Sequence, residues 1–158
     1  MPLYLVAQLI GGIAAATFLR VTFGTTGAIG ATMPGAGASS GQALAMEVLL
    51  TAGLVNTILG TAYGARNIGT NGAIAVGGYI VLAGLWAAPI SGASMNPVRS
   101  FAPDFLRGDF HTTWIYIVGP LAGALIGVIF EWILKGPPSA TGTIAAQGTL
   151  GIDEDEGR

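Results

Sequence analysis

No cysteine occurs in the 158-residue chain, which excludes disulfide staples and thiolate chemistry and leaves the redox compartment unmarked. Charge is nearly as scarce: Asp, Glu, Lys and Arg make up 9% of residues, against about a quarter in a soluble domain. The scarcity is also local. No charged residue stands between Met1 and Leu19, between Arg66 and Arg99, or from Thr112 to Phe130. The six basic residues form no patch, which removes nucleic acid from the candidate partners. The one histidine, His111, falls in a loop and is assigned no role. Neither a nucleophile–base pair nor a metal-ligand cluster is visible, so no enzyme, metal or cofactor is expected.

What remains is apolar. Hydrophobic residues make up 52% of the chain, with a mean hydropathy of +0.68. Roughly 20 apolar residues suffice for a helix to cross a hydrocarbon core of about 30 Å. Four such spans are expected, over residues 3–21, 43–63, 73–88 and 114–134. The opening "MPLYLVAQLIGGIAAATFLR" lacks the basic n-region of a signal peptide and reads as a retained helix. Glycines recur at four-residue spacing, at Gly60 and Gly64 and again at Gly119, Gly123 and Gly127. That spacing lets helix backbones approach closely in lipid. Residues 136–158 are Pro/Gly-rich and then acidic, and read as a disordered tail. Arg66 and Lys135 fall on one side of the membrane and Arg20 and Arg107 on the other, so the positive-inside rule sets no orientation.

The third and fourth spans are separated by "SGASMNPVRSFAPDFLRG". The chain after Ala88 reads as unwound from Pro89 onward. Asn96 can then cap a short helix, and Pro97 suits its first position, where a missing N–H costs nothing. The helix is expected over residues 96–106, about 15 Å long and half a bilayer. It either lies on the surface or dips into the membrane and returns. A re-entrant helix would place the positive end of its dipole at mid-membrane, with the Asn96 amide and Arg99 facing a cavity. Such a set favours polar neutral molecules and repels cations. Glu47, near the start of the second span, sits where an unpaired carboxylate is costly. It calls for backbone N–H groups of an irregular segment, or for an arginine, unless it faces headgroups. Glu131, beside Trp132 and Lys135, reads as an interfacial anchor.

These residues resemble the second half of the major intrinsic protein family, the aquaporins and aquaglyceroporins. "SGASMNPVRSFAPD" followed by "WIYIVGPLAGALIG" carries the resemblance, with "PLYLVAQLIGG", including Ala7 and Gln8, and "AMEVLLT" similar to the family's third and fourth helices. It covers about residues 2 to 135. The resemblance implies an all-α membrane protein with a truncated aquaporin-like fold: four transmembrane helices plus one re-entrant half-helix, in a partial domain over residues 1–135. It implies that Asn96, Pro97 and Val98 form the second Asn-Pro-Ala box, with Val98 in place of alanine. Arg99 would be the filter arginine, Gly84 and Ala93 two further filter positions, and Glu47 the glutamate that supports the loop. With Gly84 and Ala93 both small, the constriction would be wide enough for glycerol-like solutes as well as water. A homotetramer in the plasma membrane, with Arg66, Lys135 and the acidic tail cytoplasmic, is likewise implied.

Family members pair two half-helices in inverted repeats. No second Asn-Pro exists here, so the first two helices and the first box are absent from this sequence. A chain opening "MPLYLVAQ" inside a helix is expected to be a fragment, a truncated gene product or the product of a mis-assigned start. The expected function is a passive channel for water and small neutral solutes in the lipid bilayer, present as the C-terminal part of the pore. The alternative is a non-conducting membrane protein that only packs or assembles with partner chains. A secondary transporter is disfavoured, because the spans lack the acidic or histidine groups that couple ions to transport.

Overall fold

In the computed structural model, which describes residues 2–62 and 69–136, the elements are helical and no strand occurs among the described residues. Four helices are long and apolar enough to cross a membrane: α1 (Pro2–Phe23), α2 (Ser40–Ala62), α3 (Gly69–Ser91) and α5 (Thr113–Lys135). Between α3 and α5 stands the shorter α4 (Pro97–Arg107). Large apolar side chains cover the outside of the bundle, among them Leu82, Leu85, Leu121 and Ile133. That is the inverse of a water-facing surface and the arrangement a lipid solvent requires. Gly64 and the tail beyond residue 136 lie outside the described residues.

α2 is the central helix, packed on α5 along one face and on α3 along another. The α2–α5 contact is close because glycine makes it so. A Cβ at Gly119 would lie 2.7 Å from Glu47 Cβ, one at Gly123 2.4 Å from the Val48 carbonyl, and one at Gly127 2.9 Å from Val55 Cβ. Three consecutive turns of α5 therefore lie against the backbone of α2, as the four-residue spacing predicted. α3 docks through Tyr79, whose hydroxyl donates to the Leu50 carbonyl at 2.8 Å.

α1 behaves differently. Among the described residues it touches α4 and the turn that follows α1, and neither α2, α3 nor α5. Gly12 meets Val98 and Ala102, while Arg20 Nη1 donates to the Leu106 carbonyl at 2.8 Å, so the two helices run in the same direction. That arginine sits at the negative end of α4, where a cation is favoured.

α3 does not end where the proline suggested. It continues through Pro89 to Ser91, three residues beyond the expected limit at residue 88. Pro89 lies in the last turn, where a missing N–H removes one helical bond, and Gly92 N–H still donates to the Ala88 carbonyl at 2.9 Å. The break is confined to residues 92–96. There the chain turns back into the layer: Met95 shares a buried cluster with Leu50, near the middle of α2, and with Ala83 and Ala87 on α3. The other end of α4 reaches the start of α5, where Thr113 Oγ1 donates to Asp104 Oδ2 at 2.5 Å. Gly108, at φ 67, ends the helix in a left-handed cap that L side chains disfavour. With 11 residues, α4 rises about 16 Å, and its N-terminal end begins beside Met95, level with the middle of α2, as a re-entrant half-helix does.

Candidate functional site

The break before α4 is backbone in an unfavourable conformation, held by one carboxylate. Ala93 (φ 48) and Met95 (φ 55) occupy the left-handed region beside Gly92 (φ 81). Non-glycine residues in that region cost about 1–3 kcal/mol each and persist only when their surroundings over-determine them. The surroundings here are Glu47. Its side chain is fully buried; Oε1 accepts from Ser91 Oγ at 2.7 Å and from Ser94 N–H at 2.9 Å, and Oε2 accepts from Met95 N–H at 2.8 Å. Glu47 thus takes backbone partners from the irregular segment, not an arginine. From α5, the buried Tyr116 hydroxyl donates to the Ser91 carbonyl at 2.7 Å and secures the end of α3.

Asn96 stands at the mouth of α4. With φ −147 and ψ 116 it is extended, and its Oδ1 accepts from Val98 N–H at 2.9 Å and Arg99 N–H at 3.4 Å. Pro97 occupies the first helical position. The cap uses the oxygen, so Asn96 Nδ2 keeps its two protons and has no protein acceptor among the described residues.

Arg99 follows one turn later. Its Nη1 donates at 2.6 Å to the carbonyl of Gly30, in a turn over Thr26–Gly30 where Gly27, Ala28 and Ile29 all carry φ between 50° and 60°. Ile29 is β-branched and buried, which makes its left-handed conformation unusual. The turn aims a carbonyl at the guanidinium from across the fold.

Asn96, Val98 and Arg99 from α4, Gln8 and Gly12 from α1, and Gly30 line an open groove of about 420 Å³. The groove brings together a helix N-terminus, a free carboxamide and a fixed cation. It can donate hydrogen bonds to a neutral polar molecule and repel a cation. Gly84 and Ala93 do not line it. Ala93 lies in the break itself, while Gly84 sits on α3, which makes no contact with α4, and no atom lies within 4 Å of where its Cβ would be.

Several functional groups escaped the sequence reading. Gly30 and Thr32 reach the site from 69 and 68 residues away, and nothing local marks them. Ser91 and Ser94 lie inside the "SGAS" stretch, 44 and 47 residues from the Glu47 carboxylate they reach, one by its hydroxyl and the other by its backbone N–H. Glu131 is buried and pairs with Lys135 at 2.6 Å, one helical turn away. Among the described residues no group of His, Cys, Asp or Glu could hold a metal ion.

A family profile described as Major intrinsic protein matches residues 1–130. Aquaporin NIP1-1 of Oryza sativa subsp. japonica is 43% identical over 128 residues, covering 80% of this chain and 44% of that protein. Probable aquaporin NIP-type of Nicotiana alata is 43% identical over 136 residues, covering 85% and 50%. Nodulin-26 of Glycine max is 38% identical over 128 residues, covering 80% and 46%. The chain spans about half the length of the curated relatives it matches.

Proposed function

We propose, because this chain belongs to the major intrinsic protein family, that it supplies the C-terminal part of a passive pore for water and small neutral solutes such as glycerol. The observation that carries this reading is the clamped re-entrant half-helix. Its N-terminus, the free Asn96 amide and the anchored Arg99 all border one groove. A neutral solute entering it exchanges water for these donors, whereas a cation or hydronium meets a fixed positive charge and a positive helix end.

On this reading Asn96, Pro97 and Val98 form the inner box and Arg99 one wall of the outer filter. Gly84 and Ala93 supply two further filter positions, with Gly84 across the lumen from Arg99, and one filter residue lies outside this sequence. Two small residues leave that constriction wide. The remaining pore wall comes from sequence or a partner chain beyond this one. The domain runs over residues 1–135, followed by a cytoplasmic tail over 136–158, in a plasma-membrane homotetramer.

The alternative of a non-conducting chain that only packs with partners draws on the sparse contacts of α1. Stopped-flow swelling of vesicles holding the protein separates the two, because a packing subunit moves neither water nor glycerol. Within a conducting pore, Gly84→His is expected to reduce glycerol flux more than water flux; equal loss of both would remove Gly84 from the filter. Arg99→Val is expected to raise proton and ion leakage while neutral flux persists, and vesicles that stay proton-tight would deny Arg99 its role.

A further inference from the structure

Behind the half-helix lies a row of buried hydroxyls whose proton order is fixed. Ser94 Oγ donates to the Asn96 carbonyl at 2.9 Å, so its single proton is committed there. The 2.6 Å contact between Ser94 Oγ and Ser100 Oγ must then be donated by Ser100. Ser100's proton is now committed too, so in the contact between Thr32 Oγ1 and Ser100 Oγ the donor is Thr32. All three side chains are buried. The row begins on the connection between α1 and α2 and ends on the carbonyl of the residue that caps α4. Two further contacts bind the same connection to this region: the Gly30 carbonyl on Arg99, and Gly35 N–H donating to the Ile90 carbonyl at 3.0 Å.

We propose that Thr32 is a positioning residue for the Asn96–Arg99 face, acting through Ser100 and Ser94. Its hydroxyl ties the first turn of α4 to the same connection that holds the Arg99 guanidinium, so the cap and the cation move together or not at all. The methyl of Thr32 packs near Gly92, where an added Cβ would meet it at 3.1 Å. Threonine therefore has two separable parts, a methyl for the break and a hydroxyl for the helix. The selectivity consequence rests on the channel reading; the positioning itself does not.

The test uses the full chain in lipid nanodiscs, with residue-resolved amide exchange on Thr32→Val and Thr32→Ser. Valine keeps the shape and removes the hydroxyl; serine keeps the hydroxyl and removes the methyl. Thr32→Val is expected to speed exchange of the Val98 and Arg99 amides about fivefold, the size of one net hydrogen bond. Thr32→Ser should retain the protection of the unaltered protein, and amides along the α2–α5 contact should not change in either variant. Unaltered protection in Thr32→Val would overturn the proposal, as would equal loss throughout α2 and α5. Vesicle assays add a second readout: in Thr32→Val, proton leak should rise relative to glycerol flux, and an unchanged ratio would count against Thr32. Unaltered protein that moves neither water nor glycerol would defeat the channel reading alone, and amide exchange would still decide Thr32.

Discussion

Glu47→Ala is expected to destabilise the protein by about 2–6 kcal/mol, because it leaves two buried backbone N–H groups without acceptors at about 1–3 kcal/mol each. The donors are Ser94 and Met95, in a segment whose left-handed Ala93 and Met95 already disfavour its own conformation. The loss should appear as a lowered thermal midpoint in lipid or detergent, with early proteolysis between residues 91 and 107. Glu47→Gln is the sharper variant. One amide oxygen can serve Ser91 and Ser94, but the NH₂ group would then face the Met95 N–H, donor against donor. An intermediate loss is therefore expected. Asp109→Asn is a control, since its partner Arg107 lies at 2.9 Å on a half-exposed site worth about 0–1 kcal/mol. Equal midpoints for Glu47→Ala and Asp109→Asn would mean that the carboxylate does not hold the break.

Gly123→Val is expected to be almost as damaging by another route. Its Cβ would lie 2.4 Å from the Val48 carbonyl and 2.9 Å from Thr51 Cβ, so α5 and α2 must separate. Overpacking of this kind costs about 1–3 kcal/mol, and here the obstacle is backbone that has no rotamer to change. Gly119→Ala connects packing to the site, because the atom it displaces is Glu47 Cβ at 2.7 Å. It should reproduce part of the Glu47→Gln phenotype, including proteolysis near residue 91, whereas Gly123→Val should loosen the α2–α5 pair more evenly. Gly11→Ala, with nothing within 4 Å, should stay within about 0.5 kcal/mol of the unaltered protein. Similar midpoints for Gly11→Ala and Gly123→Val, read by thermal denaturation, would refute the close α2–α5 contact.

How far the sequence discloses this fold depends on the range of the signal. The spans follow from charge-free runs, and a close-packing face on α5 follows from glycines at 119, 123 and 127, because both are features within one helix; that α2 is the partner is not written in that spacing. The start of α4 is equally local, since Asn96 caps bonds to residues 98 and 99. Pro89 misled for a physical reason: proline is costly inside a helix but removes only one bond in the final turn, where it stands. The distant partners of Arg99 and Ser100, Gly30 and Thr32, were not legible. They lie on a left-handed turn and its continuation, nearly 70 residues away, and no spacing rule connects them. Residues 91–96 fall between these cases. Their hydroxyls and the buried acid at 47 were visible, but which N–H groups the acid would reach depends on the φ values of Ala93 and Met95.

Re-entry of α4 into the membrane with its Asn96–Arg99 face toward water can be measured directly, because the chain is free of cysteine. Single cysteines at Val98, Phe105 and Phe110 would be exposed, in sealed vesicles of known orientation, to a small membrane-impermeant thiol reagent. Phe110, in the loop after α4, should react from one side. Val98, in the groove, should react from that same side, more slowly and with sharp discrimination against bulky reagents. Phe105, exposed on α4 but outside the groove, should stay unreactive behind lipid. Equal reactivity of Val98 and Phe105 would place α4 on the membrane surface and rule out its re-entry.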